Sequence, residues 1–354
     1  MFSKEGTCVK FKGKGVRAMR RTSSLVGGLL AVFLLVGCGG GGGGGSSESP
    51  FTGLTSQAEL TQDNVVDVTT EAYQAGDLAA SAVIPLDDSE PAKYETGSPR
   101  AIALVRLLRG VAERVRVPVS SPSYSLSANA ASPMEVVTES DTMFDGFGGT
   151  ASYTITVDTD TGDFSGTFTF TGWHGEGGGE ISGTTSVTGN IDLGMGEFTR
   201  MRFTFHAVTM VDGPASVTLT GTVDLSISGS SKVEMYFEDN GTGKTVWIHG
   251  YTMTMTEGPD ENPVDGVPDY TEVVVSGRIY LHDYGYVDVS TPTPFIFNSG
   301  STKPDVGVLQ VDGSQSRSAR LIVIDESTGY FVEADLDGDP AGIYEWTSIT
   351  YPWI

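Results

Sequence analysis

Cysteine is scarce in this 354-residue sequence, which has two, Cys8 and Cys38, and none after position 38. Without a cysteine pair the rest of the chain can form no disulfide, and without a thiol it can carry no cysteine nucleophile. Residues 39–354 must therefore be stabilised by an ordinary apolar core, which a chain of this length can supply.

Positive charge is also scarce, with 21 basic against 45 acidic residues and a formal net charge of −24. Seven basic residues but only Glu5 of the acidic ones precede Cys38, which leaves 14 basic and 44 acidic residues from there onward. Nucleic acids are therefore not expected as partners, because clusters of Lys and Arg bind their phosphates. The charge suits cations, cationic surfaces or simply solubility.

Long apolar runs are missing as well. The run from Leu25 to Val36 has about a dozen residues and contains Gly27 and Gly28, whereas a helix needs roughly 20 apolar residues to cross a bilayer. A basic stretch precedes this run, and that order is typical of a secretory signal. The basic residues are Lys10, Lys12, Lys14, Arg17, Arg20 and Arg21.

The apolar run ends in the tetrapeptide Leu35-Val36-Gly37-Cys38. This tetrapeptide resembles the lipobox of bacterial lipoprotein signal peptides. The resemblance implies cleavage before Cys38 and acylation of that cysteine, with palmitate-type chains that hold the protein on a membrane. Gly39, where inner-membrane lipoproteins tend to carry Asp, favours the outer membrane, and the periplasmic or cell-surface face stays open. Met19 would give a more ordinary start than Met1, and a plain signal peptide with an incidental cysteine is the alternative.

The composition divides the chain into five segments. They are a signal peptide (1–37), a lipidated cysteine with a flexible Gly/Ser tether (38–50), a helical segment (51–120), a linker (121–144) and an antiparallel β domain (145–354).

Two helices are predicted in segment 51–120. The first begins after capping groups at 61–64 and ends at Gly76. The second has Ser98 as its N-cap and runs to Val117 before Pro118, with five arginines mostly off its apolar stripe. This basic helix either lies on an anionic lipid surface or packs on the sheet and pairs with the protein's own acids.

From Gly149 onward apolar residues alternate with Ser and Thr, as in antiparallel strands that have one buried face. About a dozen such runs occur without a helix between them, and the last predicted strand is 343–349. An Asp with Gly four residues later recurs in four of the connections, beginning at Asp158, Asp192, Asp239 and Asp325, and this pattern is typical of hairpin turns. The sequence therefore predicts a mainly β fold: an antiparallel meander forming a curved sheet, half-barrel or barrel, with one or two N-terminal helices.

Three aspartates in one short run, Asp335, Asp337 and Asp339, are candidate ligands for Ca²⁺, which prefers carboxylate oxygens. The run resembles the start of an EF-hand-type loop. It departs from that pattern because Pro340 stands where the sharp turn needs Gly, and Glu345 lies one residue before the twelfth position. The alternative is an acidic turn without a metal, and no other cofactor is predicted.

No catalytic motif is present. The four histidines lack the spacing of a zinc site, and neither Gly-x-Ser-x-Gly nor His-Glu-x-x-His occurs. We therefore expect no enzymatic activity. Several aromatic residues would line a glycan or lipid pocket, or else serve as core and cross-strand partners. They are Trp173, Trp247, Trp346, Trp353, Tyr280, Tyr284 and Tyr286.

Three function classes stay open. The body resembles uncharacterised Gly-tethered outer-membrane lipoproteins of Gram-negative bacteria, with residues 286–295 as the recognisable element, and this resemblance implies architecture alone. The leading hypothesis is a structural or interaction lipoprotein that binds an unknown envelope protein along a sheet face or edge. The alternative is a periplasmic carrier of a hydrophobic ligand in a curved sheet, and the third class is a transmembrane barrel.

Overall fold

A computed structural model describes residues 51–81, 136–174, 179–193, 197–226, 229–259, 269–299, 301, 303–339 and 343–353. Within these residues the chain forms one α-helix followed by β-strands. The elements are α1 (Val65–Ser81), β1 (Val136–Phe144), β2 (Thr150–Asp158), β3 (Asp163–His174), β4 (Glu180–Asp192), β5 (Glu197–Asp212), β6 (Ala215–Ser226), β7 (Ser230–Asp239), β8 (Thr245–Glu257), β9 (Tyr270–Leu281), β10 (Gly285–Asn298), β11 (Val306–Asp312), β12 (Ser318–Asp325), β13 (Gly329–Asp335) and β14 (Trp346–Thr347).

The strands form a single sheet of 14 strands in which each strand pairs with the next along the chain. All of these pairs are antiparallel, which confirms the mainly β class and the predicted meander. The sheet is not closed into a barrel: β1 and β14 lie at its two edges.

The repeated Asp and Gly form hairpin turns where the structure describes them. Asp158 Oδ1 accepts the N–H groups of Asp160 and Thr161, at 2.9 and 3.2 Å. Gly162 has φ +75°, and a Cβ atom there would meet the carbonyl oxygen of Ile191 at 2.0 Å, so only glycine fits. The turns at 239–243 and 325–329 repeat the aspartate contacts, whereas the glycine of the copy at 192–196 lies outside the described residues.

Alternating side chains divide the sheet into two faces. The inner face carries buried apolar side chains such as Phe168, Phe203 and Ile279, while the outer face carries Ser, Thr, charged and some aromatic residues. Helix α1 packs on the inner side of β8, β9, β11, β12 and β13. The helix buries one apolar stripe there, consisting of Val65, Val68, Ala72, Ala75 and Ala79.

Helix α1 begins as predicted but continues further. The carbonyl of Asn64 accepts the N–H of Val68 at 2.9 Å, and its side-chain Oδ1 accepts the N–H of Thr61 at 2.8 Å. The predicted end at Gly76 is wrong, since the helix runs to Ser81. A Cβ atom at Gly76 would lie 2.8 Å from Tyr251 Oη, so this glycine permits a close approach to the sheet.

The second predicted helix, at 98–117, lies outside the described residues.

Two segment predictions differ from the structure. The predicted linker 121–144 contains β1, whose charged residues Glu139 and Asp141 interrupt the apolar alternation that marks the other strands. The last predicted strand, 343–349, is reduced to the two residues of β14. Both differences fall at the sheet edges, where strands are often very short or carry charged side chains.

Candidate functional site

A strap, residues 51–60, crosses the hairpin ends of the sheet before α1 begins. The N–H of Leu54 donates to the carbonyl of His282 at 3.1 Å, and the N–H of Ala58 donates to that of Tyr286 at 2.8 Å. The carbonyl of Ala58 in turn accepts the N–H of Ser314 at 2.7 Å. The strap thus joins the β9–β10 hairpin to the connection between β11 and β12.

The strap starts on an aromatic ladder on the outer face, formed by Tyr236, Trp247, Tyr280 and Tyr286 on β7 to β10. These residues are register partners on adjacent strands. The Tyr236 and Trp247 rings stack with centroids 5.2 Å apart, Trp247 and Tyr280 with centroids 4.4 Å apart, and Tyr286 follows at 5.3 Å. Buried Phe51 covers the ladder, 5.6 Å from Tyr280.

A row of charged side chains lies next to the ladder on the same face of the sheet. Its members are Glu234, His249, Arg278 and Asp288, each two residues from the ladder residue of its own strand. Glu234 Oε1 accepts the indole N–H of Trp247 at 2.8 Å and lies 2.7 Å from His249 Nδ1. Arg278 donates to both carboxylate oxygens of Asp288, at 2.7 and 3.0 Å, and its guanidinium lies 3.9 Å from the centroid of the Tyr286 ring. The hydrogen bonds that Arg278 donates to Asp288 raise the pKa of Arg278 above its ordinary value.

The ladder rings cover one another, so they present edges rather than free faces to a ligand. The other aromatic candidates also pack inward: Trp353 lies 5.3 Å from Tyr330 and 5.7 Å from Tyr73, and Trp173, Trp346 and Tyr284 pack against the core. This arrangement favours their interpretation as core and cross-strand partners over a glycan or lipid pocket.

The acidic run at the end of β13 contributes to a group of three carboxylates, and the third member differs from the predicted one. Ligand oxygens of Asp335, Asp337 and Glu345 all lie within 4.8 Å of one another. Asp339 is not part of this group, and its backbone N–H donates to Asp337 Oδ1 at 3.0 Å. Glu345, which lies one residue before the twelfth position of the loop pattern, provides the third carboxylate in place of Asp339.

Part of this acidic group already accepts backbone hydrogen bonds. Asp335, which is buried, accepts the N–H of Gly338 at 2.9 Å, and Glu345 accepts the N–H of Leu336 at 2.6 Å. Ca²⁺ takes six to eight oxygens, and three carboxylates can provide half or more of them. The donor set suits a hard cation, and calcium binding here stays a prediction.

Two acidic side chains of α1 are held against the inner side of the sheet. Burial, assisted by Asp283, raises the pKa of Glu71 to about 7, and Lys244 acts in the opposite sense. Burial also raises the pKa of Asp77, while Lys303 acts to lower it. Glu71 can therefore gain or lose a proton near neutral pH.

The sequence interpretation overlooked these two acids. Glu71 lies three residues after Val68 and four before Ala75, which places it on the buried stripe of α1. A carboxylate on the apolar stripe of a predicted helix is the sequence feature from which a shifted pKa can be predicted.

Strand β1 is an edge with no second partner strand among the described residues. Such an edge offers its backbone N–H and C=O groups to an added strand. Phe144 and Phe147, at and just beyond its end, are largely exposed. A second copy of β1 paired about Ser140 would set Glu139 opposite Asp141, and like charges in that position are destabilising. The edge therefore fits a partner strand with basic side chains.

The predicted lipidation site Cys38 and the lipobox residues Leu35, Val36 and Gly37 lie outside the described residues. In the described part of the chain no helix is both long and apolar enough to cross a bilayer. The chain matches no protein-family model, no curated protein and no solved structure.

Proposed function

We propose that this protein is an exported lipoprotein, anchored to the outer membrane through acyl chains on Cys38, whose sheet serves as an interaction module. The anchor is supported by the basic stretch, the short apolar run and the lipobox, which occur in the required order. The interaction role is supported by the open edge of β1 and by an outer face that lies away from the core.

The position of the strap carries this proposal. Residues 39–50 separate Cys38 from Phe51, and a stretch of this length spans at most about 47 Å when fully extended. Since the strap is bonded to the hairpin ends of β9 to β12, an anchor at Cys38 would keep that end of the sheet near the bilayer. The strap begins at Phe51, which packs on Trp247 of β8. Strand β1 lies seven strands away from β8, roughly 34 Å along the sheet, and a partner can reach it there.

The carrier alternative requires an unfilled space on the inner face. Over β8 to β13 that face is covered by α1, whose apolar stripe is buried against the strands. This packing favours the interaction role over transport of a hydrophobic ligand.

Metabolic labelling with palmitate and membrane fractionation test the anchor, and the two cysteines provide a matched pair of variants. We expect label on the wild-type protein and on Cys8→Ser, both in the outer-membrane fraction. Cys38→Ser should carry no label and should leave that fraction, because the acylated thiol is lost. Label retained by Cys38→Ser, or lost from Cys8→Ser, would contradict the proposal.

A further inference from the structure

The outer face of β1 to β4 is a lattice of hydroxyl groups. Three successive outward positions on each of these four strands are Ser or Thr, and the strand registers align them in three rows across the sheet. None of these side chains is buried. The rows are Thr138, Thr156, Ser165 and Thr188; Ser140, Thr154, Thr167 and Ser186; and Thr142, Ser152, Thr169 and Thr184.

The lattice is regular because every irregularity of pairing falls outside it. The β1–β2 and β2–β3 registers are continuous, and the β3–β4 register shifts only after Phe170. Strand geometry then sets the hydroxyl repeats at roughly 4.8 Å between strands and roughly 6.8 Å along them. Between β1 and β2, the three cross-strand pairs have oxygens 2.9 to 3.1 Å apart and hydrogen-bond to each other.

Charged side chains are kept out of this lattice. Strand β1 has its acids, Glu139 and Asp141, on the inner side with the apolar residues, where Glu139 accepts the hydroxyl of Tyr153 at 3.0 Å. On the other side the two outer rows end at β5, where Thr188 faces Arg202 and Thr184 faces His206, while the central row continues through Thr204 to Thr222.

Solvent exposure alone does not explain the uniform composition. The outer face from β5 to β10 meets the same solvent but carries ionic and aromatic groups, including the Arg202–Asp224 pair and the aromatic ladder. The segregation of hydroxyls on β1 to β4 therefore indicates a surface matched to a repeating ligand that is rich in hydrogen-bonding groups.

We propose that this hydroxyl lattice binds ice. The prism faces of ordinary ice repeat their oxygen positions at two spacings close to those of the lattice, so rows of Ser and Thr hydroxyls can order a first layer of water that merges with the crystal. Charged groups orient water around themselves and would disrupt that layer, which accounts for their exclusion. The activity goes beyond the proposed interaction role and does not require the lipid anchor.

Ice recrystallisation tests the proposal with the full-length protein purified in non-ionic detergent, measured against a detergent-only blank. The wild-type protein should keep ice crystals small at micromolar concentration. Thr167→Tyr, at the centre of the lattice, should reduce that activity at least ten-fold, because the ring stands above the hydroxyl plane while Tyr retains β propensity. Thr254→Tyr, at an exposed position on the outer face of β8 and outside all three rows, is the matched control and should retain full activity.

Circular dichroism checks that each variant is folded, and Thr167→Lys places a charge at the same point if the Tyr variant unfolds. Wild-type protein indistinguishable from the blank would overturn the proposal. So would an equal loss in Thr254→Tyr, or binding to an insoluble polysaccharide without any effect on ice.

Discussion

Glu71 is the side chain that most directly couples the fold to pH. Its pKa is about 7 in the folded protein, against an ordinary value of 4.5, because α1 holds it against the sheet near Asp283. As pH rises from about 4.5, the unfolded chain therefore releases the Glu71 proton before the folded chain does. The contribution of this group to the free energy of unfolding falls until about pH 7 and is constant above that.

Glu71→Gln should remove this pH dependence. Gln preserves the size of the side chain but cannot ionise, so the variant should be more stable than the wild type at pH 8, by roughly 3 kcal/mol for a pKa shift of this size. At pH 4 the two proteins should have similar stability. Urea unfolding at a series of pH values measures both quantities.

Asp160→Asn, which replaces an exposed carboxylate in the β2–β3 turn, is the control and should leave the pH profile unchanged. If Glu71→Gln kept the wild-type decline between pH 4.5 and 7, the decline would have to be assigned to another group, such as Asp77.

Among the elements, the strap connects the outer face of the sheet to the helix on the inner face. Phe51 is buried against Trp247 and Tyr280. Gly53 approaches His282 so closely that a Cβ atom added to Gly53 would lie 2.6 Å from the Cα atom of His282. The strap is therefore held by the ring contacts of Phe51, by the close approach at Gly53, by side-chain bonds such as that from the Thr52 N–H to Thr245 and the ion pair of Glu59 with Arg317, and by its backbone hydrogen bonds.

Phe51→Ala should lower the free energy of unfolding by about 3 kcal/mol, because it leaves a void over the ladder. Leu54→Ala, in the same strap but with 51% of the side chain exposed, should change the free energy by about 0.5 kcal/mol or less. Urea denaturation followed by tryptophan fluorescence compares the two variants. Equal effects would show that Phe51 does not hold the strap on the sheet.

The strands that could be predicted from the sequence are those whose apolar residues alternate over the core. Strands β2 to β13 carry that pattern, and the Asp and Gly turns between them fix the hairpins locally. Strand β1 could not be found in this way, because its inner positions include Glu139 and Asp141. Helix α1 continued past Gly76 because contact with Tyr251 outweighs the low helix propensity of glycine.

The candidate sites depended on contacts between distant parts of the chain, and so less of them could be predicted. The spacing of the acidic run predicts Asp335 and Asp337 as members, but Glu345 lies one residue away from the twelfth position of the loop pattern and was not predicted as the third. The hydroxyl lattice likewise becomes visible only when the strand registers place the Ser and Thr residues in rows.

Viewed as a whole, the molecule is a wide sheet whose outer face is divided along the strand order. A hydroxyl region occupies β1 to β4, while ionic pairs and the aromatic ladder occupy β5 to β10 beside the strap. In the proposed orientation, the tether meets the ladder end of the sheet, and the hydroxyl region and the open edge lie at the far end. The two regions can then serve different roles: attachment near the bilayer and recognition away from it.

The most direct test of the anchored-lipoprotein account is the intact mass of the protein recovered from the outer membrane of a Gram-negative host. The account predicts a chain that begins at Cys38 and carries the added mass of a diacylglycerol and one further acyl chain, with residues 1–37 absent. A mass that corresponds to an unmodified Cys38, or to a chain that still contains residues before it, would contradict the account.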